Sequence, residues 1–423
     1  MSAELDIARA LAAQGRVDDA KAIYAKLIAL PQPPLEAFSF MAMIAFKQRK
    51  FDDATKYLKA ALQHAPGHPR FLTDLGMIYR AQNKLEYAAE QFVQALRNAP
   101  ENYMARLYLG TVRERQGQSD EALRHYAAAI DTAQEQGAWL KPDATPPEAR
   151  QAMMYVKAGQ AKLFGALLDG FKARFEASDL KRVTKFLDAY VGKIAADTPA
   201  PMQRPIYFFF PDLPVQHYFT REDVPWVADL ESHTAAIRED ALQAVSGGNL
   251  PSFLKRQDSE GNETYLGGTE TSSWDAFFFY RDGQRIDENH QRAARTSAVI
   301  EQLPLVRIKH SSPEICFSVL TPGSEIKPHT GVANIRMVVH LPLIVPENCA
   351  LMVAGEERPW VEGQCVMFDD TYEHAAWNRS TDYIRIVLLM DAWNPHLTLP
   401  EREVVAALIN GIGDFNRSLQ APL

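Results

Sequence analysis

Three residues in the last third of the chain have the types and spacing to bind a metal ion together with a dicarboxylate. His329 lies in the run PHTG, His374 follows 45 positions later in FDDTYEHAAW, and Arg385 stands 11 positions beyond that in RIVLLMDAW. Two neutral imidazoles can hold a ferrous ion and leave coordination positions open for a chelating 2-oxo acid and for dioxygen. An arginine deeper in the fold would grip the far carboxylate of that acid, because a guanidinium offers a fork of parallel N–H donors. A single HxG run is a weak signal, and a lone histidine is more often structural. The three together, in one β-rich region, are a much stronger one. His217, His233 and His310 have no partner at metal spacing. Asp369, Asp370 and Glu373 flank the distal histidine and are read as turn and capping residues rather than a third ligand. Trp274 is read as a core residue and Trp393 as an anchor at the end of its strand.

Residues so far apart in sequence can meet only if strands carry them to one mouth. After Pro205 the chain becomes a series of short runs rich in β-branched and aromatic residues: IYFFF, AFFFY, ICFSVL, IRMVVHLPLIV, ALMVAG, QCVMF and DYIRIVLLMDAW. Turn clusters such as LTPGS, VPEN and AGEERPW separate them. Many short strands at close spacing predict a barrel or jelly roll. A helix is expected before them, around VPWVADLESHTAAIREDALQAV. Within NIRMVVH, strand alternation puts Arg336, Val338 and His340 on one face.

The first third has a different texture. Alanines stand at 20, 54, 88 and 122, each 34 positions after the last, and a large apolar residue follows four positions after each: Tyr24, Leu58, Phe92 and Tyr126. Ala61, Ala95 and Ala129 share the period, as do Gly76 and Gly110, and Pro66 and Pro100. Alanine lets two antiparallel helices approach, the larger residue fills the space between repeats, and the proline stops the second helix of each pair. These positions predict a helical solenoid over residues 1–135. A helical connector without the period follows over 136–200, and the proline-rich ADTPAPMQRP opens a third region over 201–423. The array either binds a peptide or protein in its concave face, or packs on the next domain or on itself.

The bulk numbers exclude several classes. Hydrophobic residues at 47% and charged residues at 23% are ordinary for a soluble globular protein. A formal charge of -8 and a pI near 5.8 argue against nucleic acid or an anionic membrane as the main partner. The N-terminus lacks a basic segment followed by an apolar stretch, and no run is long enough to span a bilayer. Three cysteines, Cys316, Cys349 and Cys365, show no CxxC spacing, so they are expected as buried fillers in a reducing, cytoplasmic setting.

From Ile206 to Pro395 the chain resembles the aspartyl/asparaginyl β-hydroxylase family, most densely in SVLTPGSEIKPHTGVANIRMVVHLPLIVP and MFDDTYEHAAWNRSTDYIRIVLLMDAWNP. The 34-residue array resembles tetratricopeptide repeats. The double resemblance implies an α+β multidomain chain, a tetratricopeptide-like solenoid followed by a double-stranded β-helix of jelly-roll, cupin-like form. It implies an Fe(II)- and 2-oxoglutarate-dependent dioxygenase that uses O2, with ascorbate as a supporting reductant. The substrate it implies is an Asp/Asn-type side chain of a peptide, a protein or a small molecule. Carried over residue by residue, His329 and His374 bind iron, Arg385 and Ser318 bind 2-oxoglutarate, and His340 contacts the cosubstrate. Arg336 belongs to the same cofactor-binding set. Gly331 agrees with the family's lack of a carboxylate ligand. One departure is Val338, which stands where the family carries a second arginine, so one cation facing a substrate or cosubstrate carboxylate is missing. Two alternatives remain beside hydroxylation: halogenation at the position left by the missing carboxylate, or an inactive repeat scaffold with a vestigial β-helix.

Overall fold

The structure, a computed structural model, describes residues 2–197, 200–248, 250–254 and 265–420. The chain divides into two units. One comprises Met1–Gln160 with Asp414–Leu423, the other Ala161–Gly413. The division falls inside the stretch 136–200, within the helix Pro147–Asp169.

The first unit opens with eight helices in antiparallel pairs: Ser2–Ala13 with Val17–Leu27, Leu35–Lys47 with Phe51–His64, Pro69–Ala81 with Leu85–Asn98, and Tyr103–Arg115 with Ser119–Glu135. The periodic alanines at 20, 54, 88 and 122 are fully buried. The glycine period has a steric cause. A Cβ on Gly76 would lie 2.6 Å from the Phe92 ring, and one on Gly110 would lie 2.6 Å from the Tyr126 ring. The aromatic of each second helix therefore seats directly on the backbone of the first. Burying such a ring contributes about 1.5–3 kcal/mol. Pro66 and Pro100 follow the helices that end at His64 and Asn98, as the period requires.

The second unit contains twelve short strands among the described residues. They are β1 (Tyr218–Phe219), β2 (Leu266–Gly267), β3 (Trp274–Arg281), β4 (Gln284–Arg285), β5 (Ile315–Leu320), β6 (Ser324–His329), β7 (Arg336–Ile344), β8 (Cys349–Val353), β9 (Glu356–Pro359), β10 (Val366–Phe368), β11 (His374–Asn378) and β12 (Arg385–Trp393). They form two antiparallel sheets, one in the order β1-β10-β7-β12-β5-β3-β4 and the other in the order β2-β6-β11-β8-β9. This is the double-stranded β-helix expected from sequence.

Alternation sorts the large sheet into two faces. Ile386, Leu388, Met390 and Ala392 of β12 join Met337, Val339 and Leu341 of β7 in a core with the helices Val227–Ser232 and Thr234–Ser246. Arg385, Leu389 and Asp391 face inward, toward the small sheet. Two expectations need correction. IYFFF is not a strand: Ile206 N–H donates to Gly331 O, while Tyr207 and Phe208 both donate to Val332 O, so no ladder forms. His329 does not precede a strand directly; it ends β6, a strand that was not anticipated. The three cysteines are free and buried, as expected.

Candidate metal and cosubstrate site

β6 and β11 are antiparallel neighbours, and their register pairs His329 directly with His374. The imidazole centroids lie 4.1 Å apart. Each ring is oriented the same way. His329 Nδ1 is 2.8 Å from Lys327 O, and His374 Nδ1 is 3.0 Å from Tyr372 O. A carbonyl only accepts, so each Nδ1 carries the proton and each Nε2 keeps its lone pair, the state a metal requires. Burial holds both rings below the usual histidine range, His374 down to about 3, so both are neutral at physiological pH. Among the described residues no group of three or more His, Cys, Asp or Glu is placed to hold a metal ion. The geometry therefore offers two imidazoles, and such a pair fits a ferrous ion that keeps open positions.

Gly331 is the position from which a carboxylate two residues past His329 would project. A Cβ there would fall 2.0 Å from Asp370 Oδ2, so that space already belongs to another carboxylate. Gly331 N–H donates to Asp370 O at 2.6 Å, which closes the two ligand-bearing loops on each other. Asp370 is more than a turn residue: its Oδ2 accepts from Arg336 at 3.0 Å, and its buried Oδ1 has no partner. Asp369 does act as a turn residue, accepting from Thr371 N–H and Oγ1–H. The segment 202–210 straps both loops from outside. Gln203 Nε2 donates to Asp369 and Thr371 at 3.1 Å each, and Asn334 exchanges two hydrogen bonds with Phe210.

The two histidines line a cavity of about 200 Å3 with Ser318, Arg336, Val338, His340 and Arg385. Arg385 is 1% exposed and no described carboxylate pairs with it. Its Nη1 donates to Ser318 O at 3.1 Å and to Ser318 Oγ at 3.2 Å, and its Nε is unpartnered. Burial pulls this guanidinium down to about 10. Trp274, a buried core residue as expected, stacks on Phe253 and donates Nε1–H to Ser318 Oγ at 2.9 Å. Ser318 Oγ thus accepts two hydrogen bonds, which leaves its own proton free for an acceptor in the cavity. His340 is buried, neutral by desolvation, and its Nδ1 is also unpartnered.

Arg336 lies differently. It donates to Asp391 Oδ2 at 2.5 Å and to Asp370 at 3.0 Å, so its charge is already shared by two carboxylates. Asp391 and Glu314 line the same cavity, and neither was singled out in the sequence. The signal for Asp391 was there: it stands six positions after Arg385 on one strand, hence on the same face. Of the other histidines, His217 packs edge-on against Tyr372 rather than facing the ligand pair.

The profile of the Aspartyl/Asparaginyl beta-hydroxylase family matches residues 231–395, and the Tetratricopeptide repeat profile matches 5–69, 41–92 and 73–138. Aspartate beta-hydroxylase domain-containing protein 2 of Mus musculus is 30% identical over 251 residues, 56% of this chain and 68% of that protein. Its namesake in Xenopus tropicalis is 30% identical over 247 residues, 57% of this chain and 64% of the relative. The Ornithine lipid ester-linked acyl 2-hydroxylase of Rhizobium tropici is 34% identical over 190 residues, 44% of this chain and 63% of that enzyme. This chain thus spans about two thirds of the length of each.

Proposed function

The chain belongs to the aspartyl/asparaginyl β-hydroxylase family, and on that premise we propose that it is an Fe(II)- and 2-oxoglutarate-dependent hydroxylase. Its substrate is an Asp/Asn-type group of a peptide, a protein or a small molecule, and its tetratricopeptide repeats bind a protein or peptide partner. The observation that carries the reading is Arg385, a buried guanidinium with no described counter-ion, set in one cavity with a pair of metal-ready imidazoles. A buried cation without a partner is costly, and an anion in the cavity removes that cost.

His329 and His374 would hold the iron through Nε2. When bound, iron with 2-oxoglutarate and O2 supplies the oxidation: the oxo acid leaves as succinate and CO2, and the remaining oxygen atom enters a substrate C–H bond. Arg385 and the free Ser318 proton bind the distal carboxylate and set its position. Trp274 fixes the Ser318 hydroxyl from behind. His340, kept neutral, adds a contact without a competing charge. Val338, Leu351, Phe368 and Leu389 exclude water between the polar groups. The Asp370 carboxylate fills the space beside Gly331, which argues against a halide there.

The test incubates the purified chain with Fe(II), 2-oxoglutarate, ascorbate and a pool of cell peptides and metabolites, read by mass for a gain of one oxygen. Wild type should hold one iron per chain and form succinate, and His329→Ala or His374→Ala should lose the iron, since each ligand supplies a large share of the binding energy. Unchanged iron in both variants would sink the assignment.

A further inference from the structure

The cavity has two poles of opposite character. Arg385 begins β12 and Asp391 lies six residues on, roughly 20 Å along the strand. Around Arg385 stand Ser318 and His340, all neutral or basic. Around Asp391 stand Glu314, Asp370 and Arg336. His329 and His374 line the same cavity, with His374 within electrostatic reach of Arg336 and His340 within reach of Arg385.

At the second pole three carboxylates face one guanidinium. Arg336 is engaged by Asp391 through Nη1 and by Asp370 through Nη2, and of its nitrogens Nε has no partner. Glu314 Oε2 accepts the Asp282 N–H at 3.0 Å. Arg281 is near enough to favour the charged form of Glu314, but burial and Asp391 outweigh it and push this carboxyl up to about 7. Asp370, 4% exposed, keeps one oxygen without a partner. Val338, 7% exposed, places an apolar wall between Arg336 and His340 where a longer cationic side chain would reach the cavity. A substrate carboxylate here would meet net negative charge, and among the described lining residues of this pole the one cation, Arg336, is already engaged; Arg281 donates to the Phe253 carbonyl and does not line the cavity. An amide or an ammonium group would meet acceptors.

We propose that this second pole receives the substrate through a hydrogen-bond donor, an amide or an ammonium group, and rejects a carboxylate, with Glu314 as the specificity-determining residue. Of Asp and Asn, the site then takes Asn; basic side chains of similar reach are equally suited. The proposal rests on the reading above, because it assigns the Arg385 pole to 2-oxoglutarate.

The full chain would be loaded with Mn(II), a redox-inert and paramagnetic stand-in, and saturated with 2-oxoglutarate. Propionamide, propylammonium and propionate are then titrated in turn, and the relaxation of their protons by the metal is read by NMR. Propionamide and propylammonium should relax at concentrations roughly tenfold below propionate, the scale expected for adding a charge beside like charges at short range. Glu314→Gln keeps an acceptor for Asp282 N–H, so it should fold, and it should lose the response to propylammonium while retaining that to propionamide. Val338→Arg should admit propionate. Equal or stronger relaxation of propionate in wild type, or an unchanged propylammonium response in Glu314→Gln, would overturn the proposal. Failure to take up Mn(II) or 2-oxoglutarate, visible beforehand in water relaxation, would overturn the underlying reading instead.

Discussion

Replacing Arg385 with methionine should have two effects of opposite sign. In the ligand-free protein the guanidinium is 1% exposed, hydrogen-bonded only through Nη1 to Ser318, and faces no described carboxylate. Its fall to about 10 from the ordinary arginine range corresponds to a burial cost of roughly 3 kcal/mol. That cost is constant at neutral pH, since the group is charged in both folded and unfolded states. A flexible apolar side chain of similar length removes it, and comparable replacements of buried charges stabilise by about 1–4 kcal/mol. The ligand-free Arg385→Met protein should therefore melt several degrees above wild type, at about 2–4 °C per kcal/mol for a unit of this size. Binding should move the other way. Losing one partner of a buried charge pair costs on the order of 3–5 kcal/mol, which is a hundredfold or greater loss of 2-oxoglutarate affinity. The assay is thermal melting with Mn(II) present, across a 2-oxoglutarate titration. Wild type should gain about 2.7 kcal/mol at a hundred times its Kd, and the variant almost nothing. Arg385→Lys should recover only part, keeping the charge but not the fork. A variant that melts below wild type and still gains the full ligand stabilisation would refute the reasoning, because Arg385 would then be a structural residue.

Three further outcomes follow from the same geometry. Gly331→Ala should destabilise by roughly 1–3 kcal/mol, since its Cβ would overlap Asp370, and the loss should shrink in an Asp370→Ala background; additive losses by chemical denaturation would contradict the contact. Both ligand histidines have folded values below their ordinary one, so the unfolded chain binds more protons as pH falls below about 6.5, for His374 down to about 3. The metal-free protein should thus lose stability as pH falls through that window, by up to about 1.4 kcal/mol per pH unit for each histidine, and His374→Ala should flatten the slope; an unchanged slope would remove the histidines from the account. In the repeat unit, Gly76→Ala should cost roughly 1–3 kcal/mol and be partly rescued by Phe92→Leu, read from the melting of the same protein; a neutral Gly76→Ala would show that the 34-residue glycine period has another cause.

Much of this was legible because its signals are local. The alanine and glycine periods report one helix seated on the next, and the structure shows the rings that require them. Alternation in NIRMVVH was enough to place Arg336, Val338 and His340 together on the cavity wall. What stayed hidden depends on contacts between distant segments. IYFFF has the composition of a strand, yet its N–H groups serve the Gly331 and Val332 carbonyls and make it a strap. Asp370 read as a turn residue because nothing in FDDTYEH reveals that Arg336 would lie 3.0 Å from it. β6 was not anticipated; its Pro328 lies near the strand's end, outside the residue pairings with β2 and β11, so no ladder donor is lost. The helix Leu399–Leu419 lies beyond the stretch in which resemblance guided the reading.

A cluster of unmet polar groups favours a working site over a relic. Among the described residues thirteen buried side-chain polar atoms lack partners, and four of them, Arg336 Nε, His340 Nδ1, Asp370 Oδ1 and Arg385 Nε, belong to residues lining the one cavity that holds the histidine pair. Buried polar groups are ordinarily satisfied, and each that is not costs about 1–3 kcal/mol. A β-helix kept only as a scaffold has no physical reason to gather such costs in one place, with an uncompensated guanidinium among them. A cavity that binds a dicarboxylate at one pole and a donor-bearing substrate at the other does, because those ligands return the missing partners when they bind.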